Sequence, residues 1–186
     1  MHDKFKNKYA IKSSRLAGYN YSQDGMYFIT ICTRDREHFF GDIVDGKIIL
    51  SEIGKIAEEY WKKIPNHFPF INLDEFVIMP NHMHGIIKIN WNGINHLNVE
   101  TQNFASLHVN GNKFGPQSEN LASVIRGFKV GVKKFATMHN TYFSWQPRFY
   151  DHIIRNDESL NKIREYIQTN PKMWERDRNN IENIFI

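Results

Sequence analysis

The stretch MPNHMHGII, residues 79–87, decides how the centre of this chain is read. The apolar run INLDEFVIM (71–79) precedes it and HMHGIIKI (82–89) completes it. Only Pro80 and Asn81 separate the two runs, and such a tight connection joins antiparallel neighbours. The pair therefore reads as a hairpin of two strands. Side chains alternate faces along a strand, so His82, His84, Ile86 and Lys88 share one face, while Met83, Gly85, Ile87 and Ile89 take the other. Two imidazoles thus stand side by side at the head of a strand that is otherwise apolar. Such a pair can share one divalent cation, or it can be two surface histidines on an edge strand.

Working outward, MYFITICT (26–33) is rich in β-branched and aromatic residues and reads as a buried strand. A loop leads to GKIIL (46–50), a further strand after an Asp45-Gly46 turn. Ser51 caps a helix in SEIGKIAEEYWKKI, whose stripe is Ile53, Ile56, Ala57, Tyr60 and Ile64, with Pro65 beyond its end. Residues 90–118 are dense in Asn and Gly with no period, and read as a long inserted loop. A helix from Asn120 to about Met138 turns Leu121, Val124, Phe128, Val132 and Phe135 inward. WQPRFYDHII (145–154) becomes extended, and Asn156 or Asp157 caps a last helix, ESLNKIREYIQT, limited by Pro171. The order β-β-α-β-β-loop-α-β-α predicts an α+β sandwich, a mostly antiparallel sheet with helices packed on one face.

The bulk properties narrow the classes. A chain of 186 residues suits one domain, residues 1–186, with 1–20 as a basic arm and 90–118 as the insertion. A net charge of +4 is compatible with a polyanionic partner. Cys32 stands alone, so there is neither an internal disulfide nor a thiolate metal cage. The polar, basic start and the lack of any membrane-length apolar run predict a soluble cytoplasmic protein, nucleoid-associated if it handles DNA, with no membrane partner.

On the last helix, Leu160, Ile163 and Ile167 form the apolar stripe and Tyr166 falls on its border. Asn170 lies on the same border one turn later, where its amide can reach what the Tyr166 hydroxyl reaches. A border tyrosine by itself is ordinarily a core-edge aromatic.

Together these elements resemble the single-tyrosine HUH endonucleases, and more closely the REP-associated tyrosine transposases, a branch of the insertion-sequence transposases. Four blocks carry the resemblance in order: RLAGYNYSQDGMYFITICTRDREHFFGDIVDGKI (15–48), LDEFVIMPNHMHGII (73–87), WQPRFYDHIIRN (145–156) and IREYIQTNPKMWERD (163–177). The resemblance implies a ferredoxin-like or RRM-like HUH fold. It makes His82 and His84 metal ligands, Tyr166 the nucleophile and Asn170 the third ligand. It also implies Mg²⁺ or Mn²⁺ as cofactor and hairpin-bearing single-stranded DNA, such as repetitive palindromic elements, as substrate. Insertion-sequence relatives generally place Gln where this chain has Asn170, whereas the REP-associated branch has Asn. The family includes monomers and homodimers.

For a nucleic-acid enzyme the cationic side of the 120–138 helix, with Arg126, Lys129, Lys133 and Lys134, becomes a candidate for backbone contacts. So do Lys12, Arg15, Arg148 and Arg155. Trp145, Phe149 and Tyr150 can stack on bases, with a core role favoured for at least two of them. The competing reading is a non-catalytic RRM-like module that binds structured single strands.

Overall fold

The computed structural model describes residues 16, 18–91 and 119–177. Arg15, most of the basic arm and most of the 90–118 insertion lie outside the described residues. The elements are strands β1 (Gly25–Cys32), β2 (Gly41–Val44) and β3 (Lys47–Leu50), then helices α1 (Glu52–Lys62) and α2 (Ile64–His67). Strands β4 (Ile71–Met79) and β5 (His82–Ile89) follow, then α3 (Leu121–Met138), β6 (Tyr150–Ile154) and α4 (Asp157–Thr169), with a 3-10 helix over Asn170–Arg176.

Four strands form one antiparallel sheet in the order β4-β5-β1-β6. With α1 between β1 and β4 and α3 between β5 and β6, this is a β-α-β-β-α-β chain of two split β-α-β units, the ferredoxin-like arrangement. Pro80 and Asn81 make the two-residue turn between β4 and β5, with Met79 paired to His82. The predicted hairpin is therefore present, and β5 occupies an interior position between β4 and β1 rather than an edge.

The alternation along β1 and β5 divides the interior in two. Tyr27, Ile29, Ile31, Met83, Ile87 and Ile89 face a large core completed by Ile53, Ala57, Trp61, Val124, Phe128 and Val132 of α1 and α3. On the opposite face Ile86 and Ile154 meet Leu160 and Ile167 of α4, with Phe28, Val77 and Ile163 at the margin. Helices thus cover both faces, not one. The correction follows from β6: it ends beside β1 and sends the chain across the sheet's other side into α4.

Local chemistry accounts for the element ends. The Ser51 hydroxyl accepts from Gly54 N at 3.0 Å, Asn120 and Ser123 form a reciprocal capping box, and Asn156 Oδ1 accepts from Ser159 N at 2.8 Å. Two expectations need revision. The loop before the Asp45-Gly46 turn is strand β2, paired residue by residue with β3; four residues are too few to show a period. Asp45 and Gly46 both have positive φ, 51° and 70°, as a tight hairpin turn demands. The α1 stripe is also rotated: Trp61 is wholly buried, edge-on to Phe128 at 5.3 Å, whereas Ile56 and Tyr60 are only half-buried.

Candidate active site

Cross-strand pairing builds the histidine pair into the sheet. His84 lies in one row between Thr30 of β1 and Val77 of β4, and His82 between Cys32 and Met79. The imidazoles are 0% and 1% exposed. Phe28 stacks on His84 at 5.1 Å, and Trp174 of the 3-10 helix stacks on His82 at 6.1 Å.

Hydrogen bonds set which ring nitrogens carry protons. Asn81 is fixed at the turn: its carbonyl accepts from Thr33 N and Thr33 Oγ1, both at 2.9 Å, and its amide Nδ2 donates to Arg36 O at 3.1 Å. Asn81 Oδ1 is thereby aimed at His82 Nδ1, 2.9 Å away. An amide oxygen only accepts, so His82 Nδ1 bears a hydrogen, and in the neutral ring Nε2 is the atom with the lone pair. Thr30 Oγ1, 2.9 Å from His84 Nδ1, can accept from it in the same tautomer. The two Nε2 atoms are 3.0 Å apart. Two lone pairs at that distance repel unless a proton or a cation lies between them.

Tyr166 reaches this point from α4. Its hydroxyl is 3.2 Å from His84 Nε2, and the ring is 41% exposed. The border position is what allows this: Leu160, Ile163 and Ile167 seat the helix, and the neighbouring ring leans over the sheet toward Phe28 at 6.1 Å. Asn170 closes α4 one turn later. It is 2% exposed, and its Oδ1 is buried with no hydrogen-bond partner. Leaving a buried carbonyl oxygen unsatisfied costs about 1–3 kcal/mol, so a further partner is expected for it.

One member was absent from the sequence reading. Asp177, at the end of the 3-10 helix, is buried, and its Oδ2 lies 3.8 Å from His82 Nε2. Ligand atoms of His82, His84 and Asp177 all lie within 4.8 Å of one another, a group that can hold a metal ion. Only the path of the Asn170–Arg176 turn brings Asp177 there, and no helical period signals it. Two imidazoles and a carboxylate form a mixed N/O donor set fit for a divalent cation.

The cations gather elsewhere. Arg126, Lys129, Lys133, Lys134 and Arg148 line a groove of about 760 Å³ along α3, with Trp145 and Phe149 in its wall. This groove lies with α3, on the side of the sheet opposite α4. Lys129 Nζ donates to Gln146 O and Arg148 O at 2.6 and 2.8 Å, and burial pushes its pKa down to about 8. Lys133 Nζ donates to Phe143 O at 2.6 Å. Both lysines therefore tie the segment before β6 to α3. Trp145 and Phe149 pack against the main core, whereas Tyr150 is exposed. Arg155 stands exposed between β6 and α4. No helix of the described residues is long and apolar enough to cross a membrane.

No family model matches the chain. It is 41% identical over 169 residues to an uncharacterized protein of Haemophilus influenzae, covering 90% of this chain and 91% of that one. It is 26% identical over 152 residues to a second Haemophilus influenzae protein, a "putative REP-associated tyrosine transposase", covering 82% of this chain and 73% of the relative. Among solved structures, a REP-associated tyrosine transposase bound to a REP hairpin matches with a TM-score of 0.52 and 20% identity, over 86% of this chain and 74% of that chain. That match concerns the fold; the second relative adds likeness of sequence. In sequence this chain is similar to a putative REP-associated tyrosine transposase, and its fold is that of a solved one.

Proposed function

We propose that the protein is a metal-dependent, single-tyrosine DNA strand transferase acting on hairpin-bearing single-stranded DNA. The observation that carries the reading is the 3.2 Å approach of the Tyr166 hydroxyl to His84 Nε2, whose neighbour at 3.0 Å is His82 Nε2. The solved relative bound to a REP hairpin supports hairpin DNA as the partner.

In this reading His82 and His84, with Asp177 and the Asn170 amide oxygen, hold a divalent cation. When bound, the ion neutralises charge on the scissile phosphate and orients it. Imidazole donors favour Mn²⁺ over the oxygen-preferring Mg²⁺. The residues do the rest. Tyr166 Oη, poised at the solvent edge, loses its proton to water and attacks phosphorus. A bond from Oη to phosphorus forms, the phosphorus–O3′ bond breaks, and the departing oxygen takes up a proton as a 3′-hydroxyl. The phosphotyrosine diester keeps the bond energy, so a hydroxyl from another strand can reverse the step without ATP. Asn81 and Thr30 hold the imidazoles in the required tautomer. Arg126, Lys129, Lys133, Arg148 and Arg155, with Arg15 of the basic arm, serve phosphate contacts away from the reacting centre.

The test is incubation of the purified protein with hairpin-bearing single-stranded DNA and Mn²⁺, followed by denaturing electrophoresis. The wild type is expected to form a covalent adduct that a chelator abolishes, and Tyr166→Phe to bind the DNA yet form none. Salt-sensitive binding without any adduct, indifferent to His82→Ala and to chelators, would instead establish a plain binding module.

A further inference from the structure

We infer that the Asp74–Arg164 ion pair is the clamp that sets the pose of the tyrosine-bearing helix, making Asp74 and Arg164 positioning residues for Tyr166. The inference rests on the assignment of Tyr166 as nucleophile. It begins with an irregularity in β4. Leu73 pairs with Ile87 and Phe76 with Gly85, so Asp74 and Glu75 together oppose the single residue Ile86. This is a β-bulge. Without the extra residue, the strand beyond it would turn its other face to the main core. With it, Leu73, Phe76 and Ile78 all serve the α1/α3 side, and Asp74 turns toward α4.

The bulge also builds the receptor for Arg164. Asp74 Oδ1 accepts from Glu75 N at 2.8 Å, which fixes the carboxylate on its own backbone. Arg164 then donates in a fork, Nε to Oδ1 at 2.8 Å and Nη2 to Oδ2 at 2.6 Å, while Nη1 reaches Asn161 Oδ1 at 3.2 Å. Paired donors fix direction as well as distance. The guanidinium holds the Asp74 carboxyl below the usual carboxylate range. Arg164 lies two residues before Tyr166, and α4 buries only Leu160 and Ile167 fully. Three apolar contacts along one stripe leave a helix some freedom to roll about its axis; a two-pronged bond beside that stripe removes it. A roll that shifts Oη by about 1 Å is enough to cost roughly 100-fold in rate.

The experiment compares the full chain with Asp74→Asn, Arg164→Gln and the double variant. Hydrogen exchange of α4 amides is read without DNA, and Mn²⁺-dependent adduct formation is read at saturating hairpin DNA. Asp74→Asn keeps an oxygen for Glu75 N but loses the charge. Each single variant is expected to speed α4 exchange roughly tenfold while β1 and β5 stay protected. The adduct rate is expected to fall about 10- to 100-fold with DNA affinity within about twofold. The double variant should be no worse than either single one, because the two residues act through each other. Unchanged α4 exchange overturns the clamp whether or not the wild type forms an adduct. Faster exchange with an undiminished adduct rate overturns its positioning role. A wild type that forms no adduct refutes the transferase assignment, while the exchange measurement still decides the clamp.

Discussion

The two faces of β5 are made from alternate residues of one strand and have different occupants. Met83, Gly85, Ile87 and Ile89 look into a core sealed by α1 and α3, packed so closely that a side chain at Gly85 would overlap the Trp61 ring. His82, His84 and Ile86 look the other way, under α4, where the apolar cluster is small and polar groups lie among it. One strand thus carries stability on one side and chemistry on the other. The rigid face holds the reactive one in place.

That division can be broken most severely at Trp61. Trp61→Ala removes the largest side chain of the main core and is expected to cost about 3–5 kcal/mol in urea unfolding, with DNA affinity per folded molecule unchanged. A loss under about 1 kcal/mol would mean the core face is not the stabilising one. On the reactive face, Thr30→Val keeps the shape and deletes the partner of His84 Nδ1. The expected outcome is Mn²⁺ affinity weakened about 10- to 100-fold by calorimetry, with the melting temperature of the metal-free protein little moved. Unaltered affinity would remove Thr30 from the site.

The smallest effect is at Lys129, on α3. Its folded pKa, lowered to about 8 by burial, lies below the ordinary lysine value of 10.5. Between those values the unfolded chain holds more protons, so this group's contribution to stability rises as pH increases from about 8 to 10.5. In urea titrations the difference between wild type and Lys129→Met is expected to move in favour of the wild type across that window. A flat difference would show that the ammonium is not desolvated.

The same division explains what was legible in the sequence. The β4–β5 hairpin, the two faces of β5 and the border position of Tyr166 follow from periods of 2 and 3.6 and from a two-residue turn, all local signals. Strand β2 was too short to show a period. Trp61 escapes the sequence pattern because a stripe through Ile56 and Tyr60 fits the helical spacing nearly as well. That helices cover both faces depends on where β6 joins the sheet, which no local pattern records. Asp177 and the bulge at Asp74 were invisible for a related reason. Each acquires its partner from a residue distant in sequence, His82 for one and Arg164 for the other. Arg126, Lys129, Lys133 and Lys134 read as one cationic side and do line one groove, which Arg148 joins. That two of these lysines bind main-chain carbonyls emerged only from the fold.

The most direct measurement is peptide mapping of the protein after reaction with hairpin-bearing DNA and Mn²⁺, followed by nuclease trimming. The account predicts a nucleotide mass on the peptide containing Tyr166, and on no other, dependent on both metal and His84. A nucleotide on a different tyrosine, or strand scission without any covalent nucleotide, would contradict it.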